Sequence, residues 1–581
     1  MPENLPNSTA SRAYLCGIGA LAGLSLWLLF DVLPDALGNQ YLLLWIASTS
    51  MAFFGLTLGL SGYLHPKQAL GVASVWALFC GALLQWSSQR YFEFDDLFEA
   101  GFAPLCWALL VLLGAPFGAA ILRRNLWDYR YLFDTAWGIV VRYFAGFIFL
   151  GLFWALIFLS DALFRTVGLT VIQDLLDIEP VPFVLSGLVL GLALAVAQEL
   201  SDFISPYLVL RLIRLLVPLV LIVVATFIAV LPARGLSNLF GDFSAAAILM
   251  SVTLISITMI TSALDRDDQG AVATRVLYWS CKALILALPL LSGLALWSIV
   301  LRVEAYGWTP ERLAAALAAA LVFAYAALYL VALLRGARWM AHIRRSNIVM
   351  ALAVMALAAL WMTPVMHAER IAAQSQLARY LSGKSTAQQF PAWEMQNKWG
   401  VAGQAVIAQL QLDPTAVHAA VLAELARAKG LTSYQFERGN TEKSSETLAQ
   451  ELQGLVVVSG QELLDVSPKY DRLSNRHLKK WVQVCSQATT MKCHLIVGPF
   501  ADYGALSALF FLPDQPKTVS VYGLVWDNGA LIAARALKDK LGQVLSLTPT
   551  QMQAILDGHH KVAPATRQSL WIGDLEIIAN N

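Results

Sequence analysis

Charge is what this sequence has least of: 14% of its 581 residues are Asp, Glu, Lys or Arg, against 58% hydrophobic. A soluble chain of ordinary composition carries about a quarter charged residues, so a wholly water-soluble fold is excluded. The net charge of +1 gives no argument for a nucleic-acid partner or a strongly acidic one. The motifs of common chemistries are missing as well. There is no P-loop, no GxGxxG and no GxSxG, so nothing points to a nucleotide cofactor or a serine nucleophile. Cysteine and histidine lack the CxxC or Cys/His spacing of a zinc site. His559 and His560 are adjacent, point about 100° apart on a helix, and read as surface residues. No metal and no cofactor is expected. No carboxylate lies in the middle of an apolar run, where an ion-coupled transporter would place one.

What charge there is sits unevenly. Residues 1–366 hold 20 Lys/Arg and 21 Asp/Glu, and the much shorter 367–581 holds 20 and 18. The first part contains apolar runs starting near Ala13, Tyr41, Leu70, Phe102, Tyr143, Phe183, Leu215, Ala245, Ala283, Leu313 and Asn347. Each has close to the 20 or so residues a helix needs to cross hydrocarbon, where every amide must be satisfied within its own segment. The first run is too long for a signal peptide, has no small-residue cleavage pattern after it, and reads as an uncleaved helix. The expected fold is therefore a polytopic α-helical membrane bundle of about eleven transmembrane helices, followed by a soluble α+β domain.

Basic residues in the connections orient such a bundle. With a cytoplasmic N-terminus, inside segments hold fifteen Lys/Arg and outside segments five, namely Arg90, Arg165, Arg234, Arg302 and Arg312. Eleven crossings then put the C-terminal domain outside, in the periplasm of a bacterial inner membrane. The expected division is a cytoplasmic N-terminus over 1–12, the bundle over 13–366, an exit helix and linker over 367–400, and the periplasmic domain over 401–581. Cys485 and Cys493, eight apart in that domain, read as a disulfide. Asp527-Asn528-Gly529 between two β-rich runs is a hairpin signal, and Thr548-Pro549 opens a helix.

Candidate sites are few. Glu199, Asp202, Arg211 and Arg214 lie near one end of two helices, as interfacial anchors or, alternatively, as a buried ion cluster. Ser251, Thr258 and Ser262 share a helical face and would line a polar cavity, unless they bond back to their own helix. Small residues four apart (Gly19/Gly23, Gly187/Gly191/Ala195) serve either dimerisation or, the favoured reading, packing within the bundle. Pro289, beside Ser292-Gly293, is the expected helix break. The basic stretch 472–480 reads as a solvated helix face.

One pair of motifs carries a resemblance. Tyr306-Gly307-Trp308-Thr309-Pro310-Glu311-Arg312 is followed by Ser375-Gln376-Leu377-Ala378-Arg379 and Gly383. Together they resemble the bacterial membrane proteins grouped as domain-of-unknown-function 4153, over residues 10–410. The resemblance implies a multi-pass inner-membrane protein and brings no activity. Physically, Thr309 and Pro310 read as cap and first position of the tenth helix. The alternative is a binding site on the outer face made by Arg302, Tyr306, Glu311 and Arg312.

Three functions remain open at this level. The first is an envelope scaffold whose periplasmic domain binds a protein or envelope component, with membrane lipids around the bundle. The second is a transporter or channel for a lipid-like or weakly polar solute. The third is a membrane enzyme acting on lipid-linked substrates, with Glu93, Asp95, Asp96 and Glu99 as its acids and bases. The oligomeric state is not legible.

Overall fold

The computed structural model describes residues 8–92, 94–200, 213–234, 245–267, 274–412, 416–460, 469–487, 492–498, 507–515, 518–527, 530–536, 546–557, 570–572 and 575–577. His559, His560, Asp202, Arg211 and Glu93 lie outside them. Two compact units divide the chain, 1–429 and 430–581. The division falls after 429, beyond the expected boundary at 400, because the helices that follow the last crossing pack on the bundle.

Among the described residues, eleven helices of the first unit are long and apolar enough to cross a membrane. They are α1 (Ser8–Trp27, continued through a π-helical stretch, Leu28–Val32, to Ala36), α2 (Gln40–Leu60), α3 (Pro66–Ser88) and α4 (Phe102–Leu122). Next come α5 (Tyr129–Thr166), α6 (Pro180–Glu199), α7 (Val217–Arg234) and α8 (Ala245–Leu264). The last three are α9 (Arg275–Tyr306), α10 (Pro310–Leu334) and α11 (Trp339–Met362). Their starts are written in short polar residues. Asn39, Asp128, Thr274 and Thr309 each accept a first-turn amide with the side chain, filling a donor the helix itself leaves open. Pro289 does not break α9, which runs through it, and Ser292 Oγ donates to Leu288 O at 2.7 Å in the loosened turn.

Odd-numbered helices finish at one end of the bundle, here the exit end, and even-numbered ones at the other. Two cores fill it. One joins α7 to α10 through Val217, Leu249, Ile260, Leu284, Leu288 and Tyr329. The other joins α2, α3 and α4 through Leu44, Cys80, Leu84, Leu110 and Phe117. α11 belongs to both, with Trp339 and Ile343 in the first and Met355, Ala358 and Met362 in the second. The far half of α5 faces outward with Phe144, Leu152, Leu156, Phe158 and Leu159, each more than 60% exposed. Such a surface is stable against lipid and not against water.

α1 and α6 cross on glycine. A Cβ on Gly187 would lie 2.0 Å from Gly19 O, and one on Gly191 2.2 Å from Leu15 O. The small-residue pattern thus works inside one bundle, where missing side chains let backbones touch.

Beyond the bundle, α12 (Ala368–Leu381), α13 (Ala392–Asn397), α14 (Gly400–Leu412) and α15 (Ala416–Ala428) complete the first unit. In the second unit α16 (Ser433–Leu455) leads into β1 (Val456–Gly460), α17 (Asn475–Gln487) and β2 (Cys493–Gly498), which lies parallel to β1. The sheet continues antiparallel through β3 (Ser507–Gln515), β4 (Thr518–Asp527) and β5 (Ala530–Ala536). β6 (Ser546–Leu547) also pairs with β4, followed by α18 (Pro549–Leu556) and a hairpin of β7 (Leu570–Ile572) and β8 (Leu575–Ile577). α17 packs Trp481 flat on Phe510, ring centroids 4.0 Å apart. Of its basic residues, Arg476 and Lys479 are exposed and Lys480 Nζ donates to the Tyr522 hydroxyl at 3.3 Å. Cys485 of α17 and Cys493 of β2 form a disulfide, Cα atoms 5.6 Å apart.

Gly187→Leu should lower the melting temperature of the detergent-solubilised protein, by at least the cost of overpacking, about 1–3 kcal/mol. Gly17→Leu is the control, because nothing lies within 4 Å of its Cβ position. Equal melting of the two variants would refute the glycine crossing.

Candidate functional site at the exit end of the bundle

The last carbonyls of a helix have no amide to accept from. At the end of α9 they are taken up by side chains from two other elements. Arg379 of α12 donates from Nη1 to Glu304 O at 3.0 Å and from Nη2 to Ala305 O at 2.6 Å. Gln376 Nε2 reaches Tyr306 O at 3.0 Å and Trp308 O at 2.8 Å. Arg312 Nη1 reaches Tyr306 O at 3.2 Å and Gly307 O at 2.8 Å. Trp308 N donates to Ser375 Oγ at 3.3 Å. The two motifs, some 65 residues apart in the chain, are therefore two halves of one joint. Gly307 is required there: its φ is +75°, and a Cβ would lie 2.4 Å from Arg379 Cδ.

Among the four residues expected to make an outer-face site, Tyr306 and Arg312 meet, with the guanidinium 5.5 Å from the ring centroid. Tyr306 contributes its carbonyl to the joint while its ring is 65% exposed. Arg302 and Glu311 are exposed and make no hydrogen bond or ion pair among the described residues. Thr309 accepts Arg312 N at 3.3 Å and Pro310 opens α10, so the loop is a helix cap and a joint together.

A second joint holds the start of α12. Arg90, 6% exposed, donates from Nη2 to Trp361 O at 2.7 Å and Thr363 O at 2.6 Å, at the end of α11. Its Nη1 lies 3.6 Å from Glu369 Oε2. Glu369, 3% exposed, accepts the Tyr91 hydroxyl at 2.5 Å, and its Oε2 lies 3.2 Å from His367 Nδ1. The backbone joins in, with Val401 N donating to Arg90 O at 3.0 Å. Burial opposes charge on Glu369, but His367, the Tyr91 hydroxyl and the Arg90 charge outweigh it and hold the carboxyl below its usual value. Burial and that same carboxylate push the Tyr91 phenol up.

Sequence reasoning passed over Arg90 as one of five outside basics and over Glu369 as part of a polar exit helix. The available signal was a lone basic residue in its loop opposite the only acid of 367–381. The acidic loop itself is partly committed, since Glu99 pairs with Lys398 at 3.7 Å.

At the other end the hydroxyl face of α8 lines no common space. Ser251 and Thr258 are exposed and Ser262 is buried. Thr258 donates to Leu254 O at 2.9 Å and Ser262 to Thr258 O at 2.8 Å, the back-bonding such residues favour inside helices. Their neighbour Thr261 is the connected one. It bonds Tyr329 OH at 2.9 Å, and Tyr329 and Tyr325 both donate to Asn347 Oδ1, whose Nδ2 donates to Tyr129 OH at 3.0 Å. Glu199 pairs with Arg12 and Arg214 with Asp265, so these two do not form a shared cluster. Arg344 donates to Leu264 O and Asp265 O, and Arg142 to Gly59 O and Ser61 O. Among the described residues no group of His, Cys, Asp or Glu could hold a metal ion.

A family model described as Domain of unknown function (DUF4153) matches residues 50–393. The chain belongs to the DUF4153 family. No curated protein and no solved structure matches it. The DUF4153 segment runs from within α2 to the start of α13 and so contains every side chain named in the two joints, while 430–581 lies beyond it.

Glu369→Ala, which leaves Arg90 buried without its anion, should cost about 3–5 kcal/mol at neutral pH. In the native protein the folded-state value of Glu369 lies below the unfolded one. Its contribution is therefore complete above the ordinary carboxylate range and is lost as pH falls through the folded-state value. Melting of Glu369→Gln should accordingly converge on that of the native protein as pH falls; parallel curves would refute the ion pair. Arg379→Ala should lose about 1–3 kcal/mol by stranding two carbonyls, with Arg312→Ala similar. A variant that melts normally would remove that residue from the joint.

Proposed function

We propose that this DUF4153 protein is a scaffold of the bacterial inner membrane. In this reading the bundle is an anchor, and the unit formed by residues 430–581 faces the periplasm and binds a protein or envelope component there. The observation that carries it is the pair of joints at the exit end. Two arginines, a glutamine and a buried ion pair are committed to fixing α12 on the last turns of α9 and α11. Rigid attachment of the segment that leads out of the membrane is what an anchor requires. A transporter requires the contrary, parts that move against one another around a site.

The orientation rests on the fifteen-to-five excess of basic residues in alternate connections. It is also supported by the Cys485–Cys493 disulfide, a bond that persists in oxidising compartments. Transport of a weakly polar solute is the second reading, favoured by the Thr261–Tyr329–Asn347–Tyr129 network inside the bundle. Its groups already bond one another, which weakens it.

Crosslinking in intact cells tests the scaffold. A chain ending at Lys429 should keep its bundle and lose the crosslinked partner; retention of every crosslink by that chain would sink the proposal. For orientation, a cysteine at exposed Tyr434 should react with a membrane-impermeant maleimide in intact spheroplasts. One at exposed Lys67 should react only after lysis, and the reverse order would invert the topology.

A further inference from the structure

At the exit end, where α2 begins and α3 finishes, a cavity of about 480 Å³ is lined by Asn39, Tyr41, Trp45, Gln85, Trp86 and Gln89. That volume lies within the roughly 300–1,000 Å³ range of small-molecule sites. Leu42 and Ala82 complete the lining, which is aromatic, amide and aliphatic, with no ionised side chain. Arg90, the next residue along from Gln89, turns its guanidinium away toward Trp361 O, Thr363 O and Glu369. Aromatic residues at the end of a crossing helix ordinarily anchor it among lipid headgroups. Two further facts set this place apart: it is concave, and part of its polar capacity is not in use.

Gln85 Oε1 is shielded from solvent and has no hydrogen-bond partner. An unmet acceptor of this kind is costly unless something else supplies a donor. Asn39 accepts Tyr41 N and Leu42 N with Oδ1, which leaves its amide hydrogens over. Tyr41 gives its hydroxyl hydrogen to Tyr91 O at 3.2 Å and keeps its lone pairs. Among the described residues no hydrogen bond occupies the side chain of Gln89 or the indole N–H of Trp45 or Trp86. The cavity thus offers amide donors and acceptors in mixture, beside the half-exposed face of Trp86.

A phosphate or a carboxylate would want a cation here, and a purely apolar tail would meet neither the Asn39 and Gln89 amides nor the indole N–H groups. The complementary ligand is neutral, rich in groups that both donate and accept, and flat enough on one side to lie on an indole. We infer that this groove binds a neutral saccharide, either free at the membrane surface or carried as the headgroup of a glycolipid. The inference stands apart from the scaffold reading, since it concerns the bundle and not residues 430–581.

The test uses the full chain in nanodiscs of phosphatidylethanolamine and phosphatidylglycerol, titrated calorimetrically with maltotriose and with chitotriose. A parallel set measures retention of diglucosyldiacylglycerol by native mass spectrometry. Saturable binding of a soluble trisaccharide supports the groove and marks the ligand as free glycan. Retention of the glycolipid alone supports it and marks a headgroup. In either case Trp86→Ala and Gln85→Leu should each weaken binding about tenfold, the loss of one to two good contacts. Trp279→Ala, at an exposed indole elsewhere, should leave binding unchanged. Trp86 is half exposed, so its variant keeps the test decisive if Gln85→Leu fails to fold. No saturable binding of any of the three saccharides, or binding equal in Trp86→Ala and the native chain, overturns the inference.

Discussion

A helix that crosses hydrocarbon satisfies its own amides everywhere except at its ends, and there the last carbonyls must find donors from elsewhere. In this protein arginine supplies many of them. Arg142 serves the end of α2, Arg344 and Arg214 the end of α8, Arg379 and Arg312 the end of α9, and Arg90 the end of α11. The guanidinium suits the task because it carries several donors in a fixed fork and a positive charge that the negative end of the helix favours. Lysine, with one compact ammonium group, could not reach two carbonyls in the same geometry. The scarcity of charge and its placement have one cause: most of the bundle has no use for it, and helix ends do.

These caps also determine which helices meet. Each arginine arrives from a different element than the one it serves, so every capped end is a crosslink. Arg142 ties α5 to α2, Arg344 ties α11 to α8, and Arg379 ties α12 to α9. At the exit end the caps are joined by Glu369, buried, with its carboxyl held below the usual value by His367, the Tyr91 hydroxyl and the Arg90 charge. The outcome is a segment beyond the last crossing that is held by side chains at both its beginning and its middle. The scaffold proposal follows from that rigidity, and the groove between α2 and α3 is a place at this end where amide and indole groups border a cavity with part of their hydrogen-bonding capacity left over.

The pair of motifs that carries the DUF4153 resemblance takes on a physical meaning in this light. Tyr306 to Arg312 and Ser375 to Arg379 look like a signature of a site, because polar and aromatic residues outside a membrane span attract that reading. Instead Arg312, Gln376 and Arg379 point at backbone oxygens, and Gly307 is glycine because a side chain would collide with Arg379. Arg302 and Glu311 remain exposed at its edge.

Read alone, the chain already determined the eleven crossings, because hydrogen bonding inside a helix is local and long apolar runs have no other way to meet it. Helix starts were equally legible, as at Thr309 and Thr548, since a cap acts within three residues. So were the β4–β5 hairpin and the Cys485–Cys493 pair, both short-range. β3 went unseen, its run 507–515 being broken by Pro513. Tertiary structure alone decided the rest. Partners for orphan carbonyls, the pairing of Arg90 with Glu369 across 279 positions, and the burial of Ser262 but not Ser251 depend on which helix stands beside which. Nothing in the periodicity of one segment records its neighbour.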